Sequence, residues 1–148
     1  MKTIFDTEDR DELISRINTL NENSKAQWGK MNIYQMLRHC TLWEEWVLSK
    51  KKNKITILGC LFGKMALKNV LKDEKPFMRN SPTLPELRVR DSNVDIALEK
   101  EKWIRLLKEH ANSSNEDFVH NFFGKMTNEQ NGYLAYKHID HHLRQFNS

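Results

Sequence analysis

The sequence predicts an all-α fold. Five glycines and three prolines in 148 residues leave long stretches free of helix breakers. Along those stretches apolar residues recur at three-to-four spacing, the period of a helix with one buried face. Short polar residues stand where caps are needed, and no internal repeat or low-complexity tract interrupts the pattern.

The first helix is predicted from a cap at Asp6-Thr7 to about Asn21, with Asp9 and Glu12 in its early turns and Leu13, Ile14, Ile17 and Leu20 as its apolar stripe. A polar linker, residues 21 to 30, separates it from a second helix over about Asn32 to Ser49. Ile33, Met36, Leu37, Cys40, Trp43 and Val47 form that helix's stripe, and His39 rides its flank. Ile55 to Leu71 is more uniformly apolar and holds Gly59 and Gly63, which fits a bent helix, a buried one or a surface-seeking one. All three prolines fall between Lys75 and Pro85, so this stretch is a crossover loop. A fourth helix follows over about Ser92 to Asn112, capped by Asp91 or Ser92, with Val94, Ala97, Leu98, Ile104 and Leu107 apolar. After a turn at Phe122-Phe123-Gly124, the last helix runs from Thr127 to about Phe146. Its opening, Thr127-Asn128-Glu129-Gln130, has the form of a capping box.

This length suits one domain over residues 1–148, able to bury roughly two-thirds of its unfolded surface without staples. Two cysteines, Cys40 and Cys60, with no CxxC spacing encode neither a disulfide framework nor a thiolate zinc site, and a reducing, cytoplasmic setting is expected. The N-terminus lacks the apolar run of a signal peptide, and no segment reaches the roughly 18 to 20 apolar residues of a membrane span. A net charge of +4, from 24 basic and 20 acidic residues, describes a nearly balanced surface, so basicity alone decides nothing about a nucleic-acid partner. The lysines do cluster, at Lys50, Lys51, Lys52 and Lys54 and again at Lys64, Lys68, Lys72 and Lys75.

The chemistry is concentrated in His138-Ile139-Asp140-His141-His142. On a helical wheel the apolar direction of this segment lies roughly 40° from His142, roughly 80° from His138 and roughly 140° from His141. His138 and His142 therefore point inward, whereas His141 and Asp140 point away. Two neutral imidazoles side by side in a partly buried position each need partners for both nitrogens, and a shared cation answers that need. His39 is the natural third ligand, and three imidazoles suit zinc, nickel, iron or copper. Cys40, rotated about 100° from His39, does not share that ion and reads as a small core residue. His110 reads as a C-terminal cap of its helix. His120, ahead of the turn, is expected to lie behind the ligands or to face a substrate and move a proton. Trp28, Trp43, Trp46 and Trp103 read as packing, with one of them lining a pocket.

Four stretches, Gln35-Met36-Leu37-Arg38-His39-Cys40, Pro76-Phe77 with Asn80 to Pro85, His120 to Thr127, and His138 to Phe146, together resemble the DinB/YfiT-like superfamily, in particular its branch of small uncharacterised proteins. The resemblance runs from about Trp28 to Phe146. It implies a four-helix bundle of up-down-down-up topology with a long crossover, in which His39, His138 and His142 hold a divalent transition metal such as zinc, nickel or iron. Asn121 departs from the pattern, since relatives often carry proline after the matching histidine. Some relatives are thiol-dependent transferases or isomerases, but the resemblance supplies no substrate.

The leading expectation is a small metal-dependent enzyme, a hydrolase or thiol transferase, acting on a small molecule with a low-molecular-weight thiol as a candidate partner. The alternative is a non-catalytic binding module whose basic surface, Lys50 to Lys75, meets nucleic acid or an anionic membrane. A homodimer with a vestigial histidine cluster is the third possibility.

Overall fold

A computed structural model describes residues 1–49, 53–90, 95–114 and 118–148. The described residues form helices α1 (Thr7–Thr19), α2 (Ile33–Leu48), α3 (Ile57–Val70), α4 (Ile96–Asn112) and α5 (Asn128–Gln145). A 3-10 turn at Pro85–Leu87 is the regular element of the proline-rich loop. The all-α expectation needs one correction, a two-residue hairpin of β1 (Val119–His120) and β2 (Gly124–Lys125) around the predicted turn. Gly124, at φ +75°, takes the left-handed conformation that closes it.

The caps explain where the helices begin. Asp6 accepts from the Asp9 amide, Asn32 and Gln35 form a reciprocal capping box on α2, and Thr127 and Gln130 form another on α5. Helix α4 is capped by Asp95, whose side chain accepts from the Leu98 amide. The expected cap at Asp91 or Ser92, Val94 and the lysines 50 to 52 lie outside the described residues.

Helices α2 and α4 pack along one another, α1 rests on α4 and α5, and α3 lies against β2. Ile4, Leu13, Ile17, Met36, Leu37, Val47, Trp103, Leu107, Ile139 and Leu143 fill the core between them. Each such side chain contributes about 1.5–3 kcal/mol by leaving water. The N-terminal segment crosses α5 at Gly132, where a Cβ would stand 2.4 Å from Thr3 Oγ1. The far end of α5 is held by the linker, through Gln27 N–H donating to the Gln145 carbonyl at 2.7 Å. Helix α5 is therefore enclosed on nearly every side, and this enclosure buries the histidines it carries.

Candidate metal centre

His39 on α2 meets His138 and His142, one turn apart on α5. One ring nitrogen from each lies within 4.8 Å of the others, and the ring centroids stand 4.8 to 5.3 Å apart. The Nε2 atoms of His39 and His138 are 3.2 Å apart. Two nitrogens on one tetrahedral ion, with bonds of about 2.0–2.1 Å, stand about 3.3 Å apart, so this pair already has the spacing of shared ligands. The three-histidine group that the sequence indicates can hold a metal ion.

The surroundings fix which nitrogen faces the centre. His39 Nδ1–H donates to the Leu87 carbonyl at 2.8 Å, and His142 Nδ1–H donates to Gln145 Oε1 at 3.0 Å. A carbonyl oxygen can only accept, so both rings keep the lone pair on Nε2. Gln145 is oriented in turn, because its Nε2 donates to the Trp28 carbonyl at 2.8 Å. His138 is placed differently: its ring stacks on Trp43 with centroids 4.6 Å apart, and its buried Nδ1 has no partner among the described residues. Burial pushes the His138 and His142 imidazoles well below their usual range, and neighbouring imidazoles push them further. His39 is lowered by burial too, against the opposing effect of the Leu87 carbonyl. All three are neutral at pH 7, the form that coordinates metal.

A cleft of about 490 Å³ reaches the centre through His39 and His142. His141 and Trp28 also line it, as do the cations Lys30, Arg88 and Arg90, and among the described residues none that lines it is acidic. Arg79 stacks its guanidinium over Trp28 at 4.4 Å. A smaller hollow of about 120 Å³, lined by Lys2, Glu12, Tyr136 and Asp140 among others, contains no histidine.

Three expectations are corrected here. His141 does not point to solvent; it is buried, with its ring 5.6 Å from Trp28 and 5.9 Å from Phe77. Asp140 is also buried, accepting from Arg16 Nη1 at 2.8 Å and Arg144 Nε at 2.7 Å. The linker, the proline-rich loop and α1 supply those partners and cover the side of α5 that the wheel left to water. His110 is not a cap; it is wholly buried, with Nδ1–H donating to Glu44 Oε2 at 2.8 Å and Nε2 accepting from Asn131 Nδ2 at 3.0 Å.

His120 is buried on the hairpin among Trp46, Phe118 and Phe123, and it does not line the cleft. Its Nδ1 accepts from the amides of Phe122 and Phe123, and burial pushes its pKa down to about 4. Cys40 is a buried core thiol, as expected, with burial raising its pKa far above the thiolate range useful for coordination. Of the tryptophans, Trp28 is the one that lines the cleft. Sequence reasoning missed Leu87, Gln145 and Trp43 as supports of the ligands. Gln145, three residues beyond His142, was within reach of a wheel argument, whereas Leu87 lies 48 positions from His39 and leaves no local signal.

A family model described as a protein of unknown function (DUF1569) matches residues 2–148. No curated protein and no solved structure matches the chain.

Proposed function

The chain belongs to the DUF1569 family, and from that premise we propose that it is a metal-dependent enzyme acting on a small anionic molecule in the cleft beside His39, His138 and His142. The observation that carries this reading is the convergence of three neutral imidazoles, two of them held by carbonyl acceptors so that Nε2 faces the centre. Such preparation of ligand nitrogens is costly to maintain in a merely structural cluster, because each buried ring nitrogen needs its own partner. A divalent ion such as zinc, nickel or iron would supply Lewis acidity there, generating a nucleophile from water or a low-molecular-weight thiol at neutral pH.

The chain's own residues do the rest. Three protein ligands leave room for a substrate atom, and the cleft brings it past Trp28 toward His39 and His142. Lys30, Arg88 and Arg90, without a carboxylate among the described lining residues, favour a carboxylate or phosphate on that substrate. Hydrolysis and thiol transfer both fit this arrangement. Of the two roles expected for His120, its Nδ1 contacts with the Phe122 and Phe123 amides support the one of bracing the hairpin. The helix order is proposed to follow the up-down-down-up bundle of DinB/YfiT-like proteins, a reading supported by the meeting of α2 and α5 at the ligands. The unpaired cysteines support a cytoplasmic setting.

Elemental analysis of protein purified without a metal column tests the proposal, beside a His138→Ala/His142→Ala double variant. About one equivalent of a transition metal is expected, lost in the variant. Failure to retain zinc, nickel or iron after reconstitution would overturn it. Arg88→Ala/Arg90→Ala should leave metal content unchanged while raising KM for carboxylate-bearing esters or thiols.

A further inference from the structure

Helix α3 is amphipathic in the reverse of the usual sense. Its buried positions are Gly59, Gly63 and Leu67, while Ile57, Leu58, Leu61, Phe62 and Met65 are 83, 63, 69, 49 and 61 % exposed. The exposed five follow the spacing i, i+1, i+4, i+5, i+8, so they share one face. The glycines explain what the inner face does. A Cβ at Gly59 would stand 2.6 Å from the Phe122 carbonyl oxygen, and one at Gly63 would stand 2.1 Å from the same atom. The helix thus docks on the hairpin backbone to backbone, aided by Thr56 N–H donating to the Asn121 carbonyl at 2.8 Å. Its large apolar side chains are left facing outward, where the fold has no use for them.

The charge around this face is one-sided. Residues 49–72 contain seven lysines and no acid, which leaves 17 basic and 20 acidic side chains for the rest of the chain. Lys54, Lys64, Lys68 and Lys72 are exposed, and no carboxylate among the described residues pairs with any of them. A nucleic acid would answer the lysines but not five apolar side chains. A second copy would cover the apolar face but set unpaired lysines against each other, with no acid in α3 to offset them.

We propose that α3 is a membrane-surface helix, which lays Ile57, Leu58, Leu61, Phe62 and Met65 into the boundary of an anionic lipid leaflet while the flanking lysines meet the headgroups. Both halves of the face are then satisfied by one partner. Each lysine near such a surface strengthens binding about fivefold, so attachment is reversible and salt-dependent. The surface is separate from the metal centre, and its role stands or falls without it.

Flotation with vesicles tests this, using phosphatidylcholine alone and phosphatidylcholine mixed with phosphatidylglycerol. The full chain should rise with the anionic vesicles at low salt, stay free of the neutral ones, and release at high salt. Leu61→Ser/Phe62→Ser and Lys64→Gln/Lys68→Gln should each weaken binding roughly tenfold or more, with circular dichroism and metal content unchanged. No binding to anionic vesicles, equal binding to neutral ones, or unaltered binding by the serine variant would each overturn the proposal. So would light scattering that shows a lipid-free dimer split by that same variant, which would make the face a contact between copies.

Discussion

Gln145 acts at one remove from the metal. Its Oε1 accepts from His142 Nδ1–H while its Nε2 donates to the Trp28 carbonyl, so it sets both the tautomer and the orientation of a ligand. Replacing such a partner commonly costs about 10- to 100-fold in metal affinity. Gln145→Leu should therefore weaken zinc binding by that order in a chelator competition, with near-normal folding, whereas His142→Ala should abolish stoichiometric binding. Glu44 belongs to a different class of buried residue. It is wholly enclosed with His110, and its Oε1 has no partner among the described residues. Removing the acceptor strands the buried His110 Nδ1–H, so Glu44→Ala should lower stability by about 1–3 kcal/mol in urea denaturation. A loss below 1 kcal/mol would show that His110 is satisfied without it. The wheel separates His138 and His142 from His141 because three-to-four periodicity reports one buried direction. It fails for His141 and Asp140, whose partners Phe77 and Arg16 come from segments far away in the chain, and the last-turn position that suggested a cap fails for His110, whose partner Glu44 is 66 positions away.

At the scale of elements, helix ends were the most legible feature, since a cap is a local event. Asp6, Asn32 and Thr127 mark starts within a residue or two of those expected, and the proline-rich loop breaks the helical pattern where proline removes donors. The hairpin was not legible: two paired residues on each strand carry no period, and the pairing is fixed largely by what lies against it. Helix α3 shows the limit most plainly. Its apolar run left a bent, a buried and a surface-seeking helix open, and only the structure shows that Gly59 and Gly63 face inward, because the hairpin approaches too closely there for any side chain. Gly63→Ala should consequently destabilise the protein by about 1–3 kcal/mol, as an overpacked contact with backbone that cannot retreat. Leu61→Ser, on the opposite face, should stay within about 0.5 kcal/mol. Equal midpoints for the two variants in denaturant would contradict this assignment of faces.

At the scale of the whole molecule, the enclosed histidines make stability depend on pH. Burial lowers the pKa of His39, His120, His138, His141 and His142, so below the ordinary imidazole value the unfolded chain binds protons that the folded metal-free protein refuses. The unfolded state then holds more protons than the native one, and unfolding free energy rises with pH across that window. Stability from these groups is complete above the unfolded value of about 6.5 and declines as pH falls below it. For His120 the decline continues to its folded pKa of about 4, at roughly 1.4 kcal/mol per pH unit. Metal adds to the slope, since protons compete with it for the same ligand nitrogens. The metal-free protein should therefore show a Tm that is level from pH 8 down to about 6.5 and falls steeply toward pH 5. His120→Phe should flatten part of that fall, because it removes one suppressed proton site and leaves the ligands in place. A Tm unchanged between pH 7.5 and pH 5 would mean that the imidazoles gain protons in the folded state as readily as in the unfolded chain, and that the cluster is open to water rather than enclosed by the bundle.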